Sequence, residues 1–85
     1  MPSKTVKVGS SVGLHARPAA IISEAAGELG SEVTIGIPGD EPVDASSSLL
    51  IMTLGASAGD EVEVSSDDQE ALDKIAALVE QDLDA

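Results

Sequence analysis

Three stretches of the chain alternate apolar and polar residues. In Lys4–Val8, Val6 and Val8 share one face while Thr5 and Lys7 share the other. Val33, Ile35 and Ile37 repeat the pattern in Val33–Ile37. In Glu61–Ser65, Val62 and Val64 point one way and Glu61 and Glu63 the other. A period of two with one polar face predicts strands of a sheet that is wet on one side. A short fourth strand is expected around Val43, after the turn-forming run Pro38-Gly39-Asp40-Glu41-Pro42. Elsewhere the period is helical. After Pro18, apolar residues fall at Ile22, Ala25, Ala26 and Leu29, one helical face, with Gly30 as the stop. Leu72, Ile75, Ala76, Val79 and Leu83 form a second stripe, preceded by Asp67 and Asp68, whose carboxylates favour a helix N-terminus. The run Leu49–Leu54, between Ser46-Ser47-Ser48 and Gly55, reads as a short capped helix. The order is strand, helix, strand, strand, short helix, strand, helix. The apolar stripes of the helices must cover the dry face of the sheet, which makes a two-layer α+β domain.

Length and composition narrow this further. Eighty-five residues suit one domain, 1–85, built on an aliphatic core, since the chain holds no Phe, Trp or Tyr. Sixteen acids against 4 bases give a net charge of −12, which repels phosphate backbones and anionic lipid. Without aromatic rings there is also nothing on which to stack a base, so nucleic-acid binding is set aside. The absence of Cys removes disulfides, thiolate metal sites and Cys nucleophiles, and suits a cytoplasmic protein. The longest aliphatic runs, Ala19–Ile22 and Leu49–Met52, fall far short of the ~18 residues of a membrane span, and no membrane insertion is expected. Met1-Pro2-Ser3-Lys4 does not begin a signal peptide.

The lone histidine and the lone arginine lie two positions apart, in Gly13-Leu14-His15-Ala16-Arg17-Pro18-Ala19. A His beside an Arg in a loop is most often plain surface. The context here argues otherwise. Proline is tolerated in a first helical turn, where its missing N–H has no intrahelical partner. A helix beginning near Ala16 puts His15 at its N-cap and leaves the backbone N–H groups of Ala16 and Arg17 free beside the imidazole. Such donors, with the helix dipole, attract anions. Arg17 adds a planar fork that matches phosphate oxygens. A neutral imidazole keeps one nitrogen lone pair free for attack. Gly13 is expected to let a partner approach this loop closely. Neither a base paired with His15, nor a nucleotide-binding glycine loop, nor metal-ligand spacing around His15 is evident. A nucleophile with an anion cradle and no machinery for activating a substrate points to a carrier acted on by other proteins, not an enzyme.

The heptapeptide Gly13–Ala19 is similar to the active-site signature of the HPr family, the histidine phosphocarriers of the bacterial phosphoenolpyruvate:sugar phosphotransferase system. The resemblance extends over essentially the whole chain, through the segment order, the Leu54-Gly55 end of the short helix and the amphipathic C-terminal helix. It implies an open-faced β-sandwich: a four-stranded antiparallel sheet in the order 1-4-2-3, covered on one face by three helices. It implies that His15 accepts a phosphoryl group on Nδ1 from phosphorylated Enzyme I and passes it to the IIA domains of sugar permeases, with Arg17 stabilising the group in transfer. No cofactor of the chain's own is implied, since phosphoenolpyruvate and Mg²⁺ act at Enzyme I. A cytoplasmic monomer is expected.

In the same family a serine at the start of the short helix is a regulatory phosphorylation site in some bacteria. Aligned on Thr53-Leu54-Gly55, that position is Ser47, which would bring in a serine kinase or regulatory protein as a further partner. Here Ser46, Ser47 and Ser48 run together, one extra residue sits in the turn at Pro38–Pro42, and the neighbouring basic residue is absent. Helix capping is the alternative role for these serines. The family's docking face maps to Ala20, Glu24 and Gly27 on the first helix, with Leu49 and Met52 as apolar contacts or, alternatively, as core. Two other functions stay open at this level. One is a paralogue in a regulatory, nitrogen-related phosphorelay; the other is an acidic interaction module in which His15 is inert.

Overall fold

The computed structural model describes residues 2–81. Four strands and three helices follow in the expected order: β1 (Ser3–Lys7), α1 (Ala16–Leu29), β2 (Val33–Gly36), β3 (Val43–Asp44), α2 (Ser48–Thr53), β4 (Glu61–Ser66) and α3 (Gln69–Glu80). The strands form one sheet in the order β1-β4-β2-β3, antiparallel at every pairing. The register aligns Val6 with Val62 and Ile35 with both Val64 and Val43. The valines and isoleucines of neighbouring strands therefore share one face. Val6, Val33, Ile35, Val62 and Val64 on that face are buried, while Thr5, Lys7, Glu61 and Glu63 on the other are exposed.

The helices supply the other half of the core. Ile22 and Ala26 of α1, Ile51 of α2, and Leu72, Ile75, Ala76 and Val79 of α3 are buried with the strand valines in one cluster. Leu83, the last residue of the predicted C-terminal stripe, lies outside the described residues.

Where element ends differ from the periodic reading, hydrogen bonding accounts for it. β4 runs one residue further than expected because Ser66 is a satisfied inward polar group. Its hydroxyl donates to the Glu32 carbonyl at 2.8 Å and accepts from the Asp68 N–H at 3.1 Å. Its N–H donates to the Pro2 carbonyl at 3.0 Å. Val8 keeps its buried side chain but leaves the ladder, its N–H donating to the Asp60 carbonyl at 2.9 Å. Ile37 also leaves the ladder, because its carbonyl accepts the Asp40 N–H at 2.9 Å in the turn that leads to β3.

Candidate functional site

The segment between β1 and α1 is held to two distant parts of the chain. Gly9 N–H donates to the Val79 carbonyl at 3.0 Å, at the end of α3. A turn follows, closed by the Gly13 N–H to the Ser10 carbonyl at 3.0 Å. Leu14 N–H then donates to the Ala56 carbonyl at 3.0 Å, just past α2, and the Leu14 side chain is buried in the core. With Leu14 pointing inward, the next residue emerges. His15 is exposed, and so are Ala16 and Arg17.

His15 is the N-cap of α1, with extended backbone (φ −84°, ψ −169°), and its carbonyl accepts the first helical bond, from Ala19 N–H at 2.9 Å. N-cap side chains usually accept from the second or third helical N–H. Here the third helical residue is Pro18, which has no N–H, and the imidazole makes no capping bond. The N–H groups of Ala16 and Arg17 are at the helix positions whose donors lack an intrahelical acceptor, so they open toward solvent beside the ring. The helix thus brings an exposed imidazole, two backbone donors and the Arg17 guanidinium to one end. A tetrahedral anion suits that donor set through its oxygens.

Gly13 has a role other than the one expected. Its φ of +75° is left-handed, and the space beside it is filled from within: a Cβ there would overlap the Ala56 carbonyl oxygen and lie 2.9 Å from Ser57 Cα. The close approach it permits is by the chain's own backbone.

The serine run resolves into two hydrogen-bonding roles. Ser47 is the N-cap of α2, its hydroxyl accepting from Leu50 N–H at 3.3 Å. Ser46 donates both its N–H (2.9 Å) and its hydroxyl (2.7 Å) to the Asp44 carboxylate. The N–H and then the hydroxyl of Ser46 hold the Asp44 carboxyl below the usual carboxylate range. Ser47 therefore caps α2, and its hydroxyl lies on an exposed helix start.

Of the docking residues read from the sequence, Leu49 is 72% exposed and Ala20 is exposed, as are Glu24 and Gly27 along the same side of α1. Met52 divides its surface, partly buried against the core. Two apolar residues had not been singled out: Leu50, 41% exposed, and Val12, 50% exposed in the turn before Leu14. Apolar residues are read as interior by default, and only the absence of a covering element reveals them as surface.

Among the described residues no enclosed pocket forms, and no helix is long and apolar enough to cross a membrane. The exposed His15 imidazole, with the Ala16 and Arg17 donors, therefore stands at an open helix end, and Leu49 and Leu50 are exposed apolar residues of the same domain. The profile of the PTS HPr component phosphorylation site matches residues 2–81. Phosphocarrier protein HPr of Streptomyces coelicolor is 41% identical over 87 residues, spanning 99% of this chain and 94% of its own. HPr-like protein Crh of Bacillus subtilis is 37% identical over 86 residues, spanning 98% of this chain and all of its own (100%). The crystal structure of HPr-C-His from Thermoanaerobacter tengcongensis is similar with a TM-score of 0.87 at 32% identity, covering 100% of this chain and 98% of that one. The chain belongs to the HPr family, and it is a phosphocarrier of the phosphotransferase system rather than a catalytic enzyme.

Proposed function

We propose that His15 is the residue that carries the phosphoryl group, on Nδ1, taken from phosphorylated Enzyme I and delivered to IIA domains of sugar permeases. The observation that carries this reading is the uncapped imidazole: an exposed N-cap ring with its lone pair unspent, beside two free backbone donors and Arg17. In transfer, the phosphorus–nitrogen bond to His15 forms as the bond to the donor breaks, and the same exchange in reverse hands the group on. Negative charge on the equatorial oxygens falls toward the Ala16 and Arg17 N–H groups and the guanidinium, which stabilise it without themselves reacting. Ala20, Leu49 and Met52 form the docking face, with Leu50 beside them. The protein acts as a single cytoplasmic domain and monomer, with phosphoenolpyruvate and Mg²⁺ used by Enzyme I.

The test is incubation with Enzyme I, Mg²⁺ and phosphoenolpyruvate, followed by intact-mass measurement and acid treatment. The parent chain gains one phosphoryl group that acid removes, and His15→Ala gains none while melting as the parent does, because an exposed N-cap ring contributes little to the core. An acid-stable phosphoryl group on His15→Ala would place the chemistry elsewhere. One further reading is a regulatory phosphocarrier: similar solved structures include Crh, the Bacillus subtilis catabolite repression HPr, at 33% identity. Transfer to sugar-permease IIA domains supports the transport role; phosphate uptake without that transfer supports the regulatory one.

A further inference from the structure

We propose that Gly13 is a positioning residue for phosphoryl transfer: its missing side chain admits the Ala56 carbonyl, and the hydrogen bond which that carbonyl accepts from Leu14 N–H sets where the His15 ring stands relative to the Ala16 and Arg17 donors. The proposal rests on His15 being the phosphoryl acceptor.

Ala56 and Ser57 form the fixed side of this contact. Ala56 is buried. The turn before it is tied to α2 through Leu54 N–H to the Ile51 carbonyl (3.1 Å) and Gly55 N–H to the Met52 carbonyl (3.2 Å). Ser57 is held from the other side. Its N–H donates to the Asp60 carboxylate at 2.9 Å, and its carbonyl accepts the Asp60 N–H at 3.0 Å. The atoms that a Cβ on Gly13 would strike are backbone atoms, with no flexible side chain to swing aside. The loop carrying Gly13 must therefore give way.

That displacement has a short path to the reacting atom. His15 is the single residue between Leu14 and the first residue of α1. Its ring makes no capping bond, so the hydrogen bonds that set where it stands are those of the backbone on either side. On the helix side the backbone is fixed by Ala19 N–H to the His15 carbonyl at 2.9 Å. On the loop side it is fixed by the Leu14–Ala56 bond. Loosening the second alone turns the ring against donors that stay in place. Group transfer depends steeply on such placement: a misplacement of ~1 Å costs up to about 100-fold.

The experiment compares Gly13→Ala with Gly30→Ala in the full chain. Both put an alanine at a left-handed position, φ +75° and +70°, but a Cβ at Gly30 meets nothing within 4 Å. Gly30 also follows the C-terminus of α1, about 20 Å of helix away from His15. The backbone strain is thus shared, and only Gly13→Ala forces the clamp open. Single-turnover transfer from phosphorylated Enzyme I is read as a maximal rate and a half-saturating concentration. Gly13→Ala is expected to lower the maximal rate by about tenfold or more with half-saturation unchanged, and Gly30→Ala to match the parent in both. Equal rates for the two variants overturn the positioning role while leaving His15 as the acceptor. A parent chain that takes no phosphoryl group on His15 overturns the acceptor reading itself.

Native-state hydrogen exchange on the unmodified protein tests the clamp even if Gly13→Ala does not fold. The Leu14 amide should be protected and should exchange in step with the Leu54 and Gly55 amides at the end of α2. A Leu14 amide exchanging freely while those stay protected overturns the proposal.

Discussion

Asp68 joins two parts of the fold through one carboxylate. It is the N-cap of α3, accepting from Glu70 N–H at 3.0 Å and Ala71 N–H at 3.4 Å. Its second oxygen accepts from the Ser31 hydroxyl at 2.7 Å, which ties the end of α1 to the start of α3. The Ser31 hydroxyl bond first, and then the Ala71 N–H, hold the carboxyl below the usual carboxylate range. A carboxyl whose folded value is depressed contributes stability that is complete above its unfolded value, about 3.9. That contribution is lost as pH falls through the lower folded value. Asn caps helices as well as Asp but does not titrate. Asp68→Asn should therefore flatten part of the acid limb of a urea-midpoint profile taken from about pH 5 to about pH 2. The flattening is partial because Asp44 and Asp73 are depressed in the same direction. General relief of acidic repulsion on protonation affects parent and variant nearly alike, so the difference between the two curves isolates Asp68. Parallel curves would mean that this carboxyl is as free in the folded chain as in the unfolded one.

Among the helices, α3 depends most plainly on its stripe. Ala71, Leu72, Ile75, Ala76 and Val79 are all buried, while Asp73, Lys74 and Ala77 between them are exposed. Ile75 lies at the centre of that stripe with no exposed surface. Ile75→Ala should cost about 2–5 kcal/mol, from lost burial plus the cavity left in an aliphatic core. That is a large share of a domain stability of ~5–15 kcal/mol. Equilibrium urea unfolding measures it, and a midpoint equal to the parent's would mean the core closes over the gap without loss. The periodicity that places Ile75 was legible in the chain, as were the alternating valines of β1, β2 and β4, because burial on one face imposes its period on the residues. The His15–Arg17 pair was legible too, since both residue types occur once and Pro18 marks the helix start. What did not show was set by distant backbone. Nothing local tells that Gly13 lies against Ala56, that Ser66 reaches the Glu32 carbonyl, or that Leu50 and Val12 remain uncovered. Each of these follows from which elements the topology makes neighbours, and an aliphatic residue looks the same in the core and on a docking face.

Over the whole molecule the charge is one-sided. The chain carries −12, and residues 2–81 occupy only 29 × 26 × 20 Å. At 0.01 M salt the Debye length is roughly 30 Å, as long as the molecule, so every carboxylate interacts with every other. At 0.15 M it is about 8 Å, and only neighbours still interact. The unfolded chain spreads the same charges over a larger volume, so the repulsion weighs more on the folded state. The helices add to it: none has a base in its last turn, and Glu28 and Glu80 sit at the negative ends of α1 and α3. Acting the other way are local attractions that salt also weakens. The Lys4 ammonium lies 3.1 Å from the Asp73 carboxylate, which Gln69 further supports at 3.0 Å. That pair is half exposed, of a kind worth ~0–1 kcal/mol. Lys7 also faces Glu61 across the β1–β4 pairing. With four bases to sixteen acids, attractions of this kind are few against the sum of the repulsions. Raising monovalent salt from ~0.01 M to ~0.15 M should therefore raise the urea midpoint, with most of the gain below ~0.1 M, where the screening length drops inside the molecular dimensions. Urea is the denaturant to use because it adds no ions, whereas guanidinium would screen the charges while unfolding the chain. Lys4→Gln separates the two contributions: it removes the ion pair and raises the net negative charge, so its midpoint should climb more steeply with salt than the parent's. A parent midpoint that falls across this range would show that the local pairs outweigh the collective repulsion.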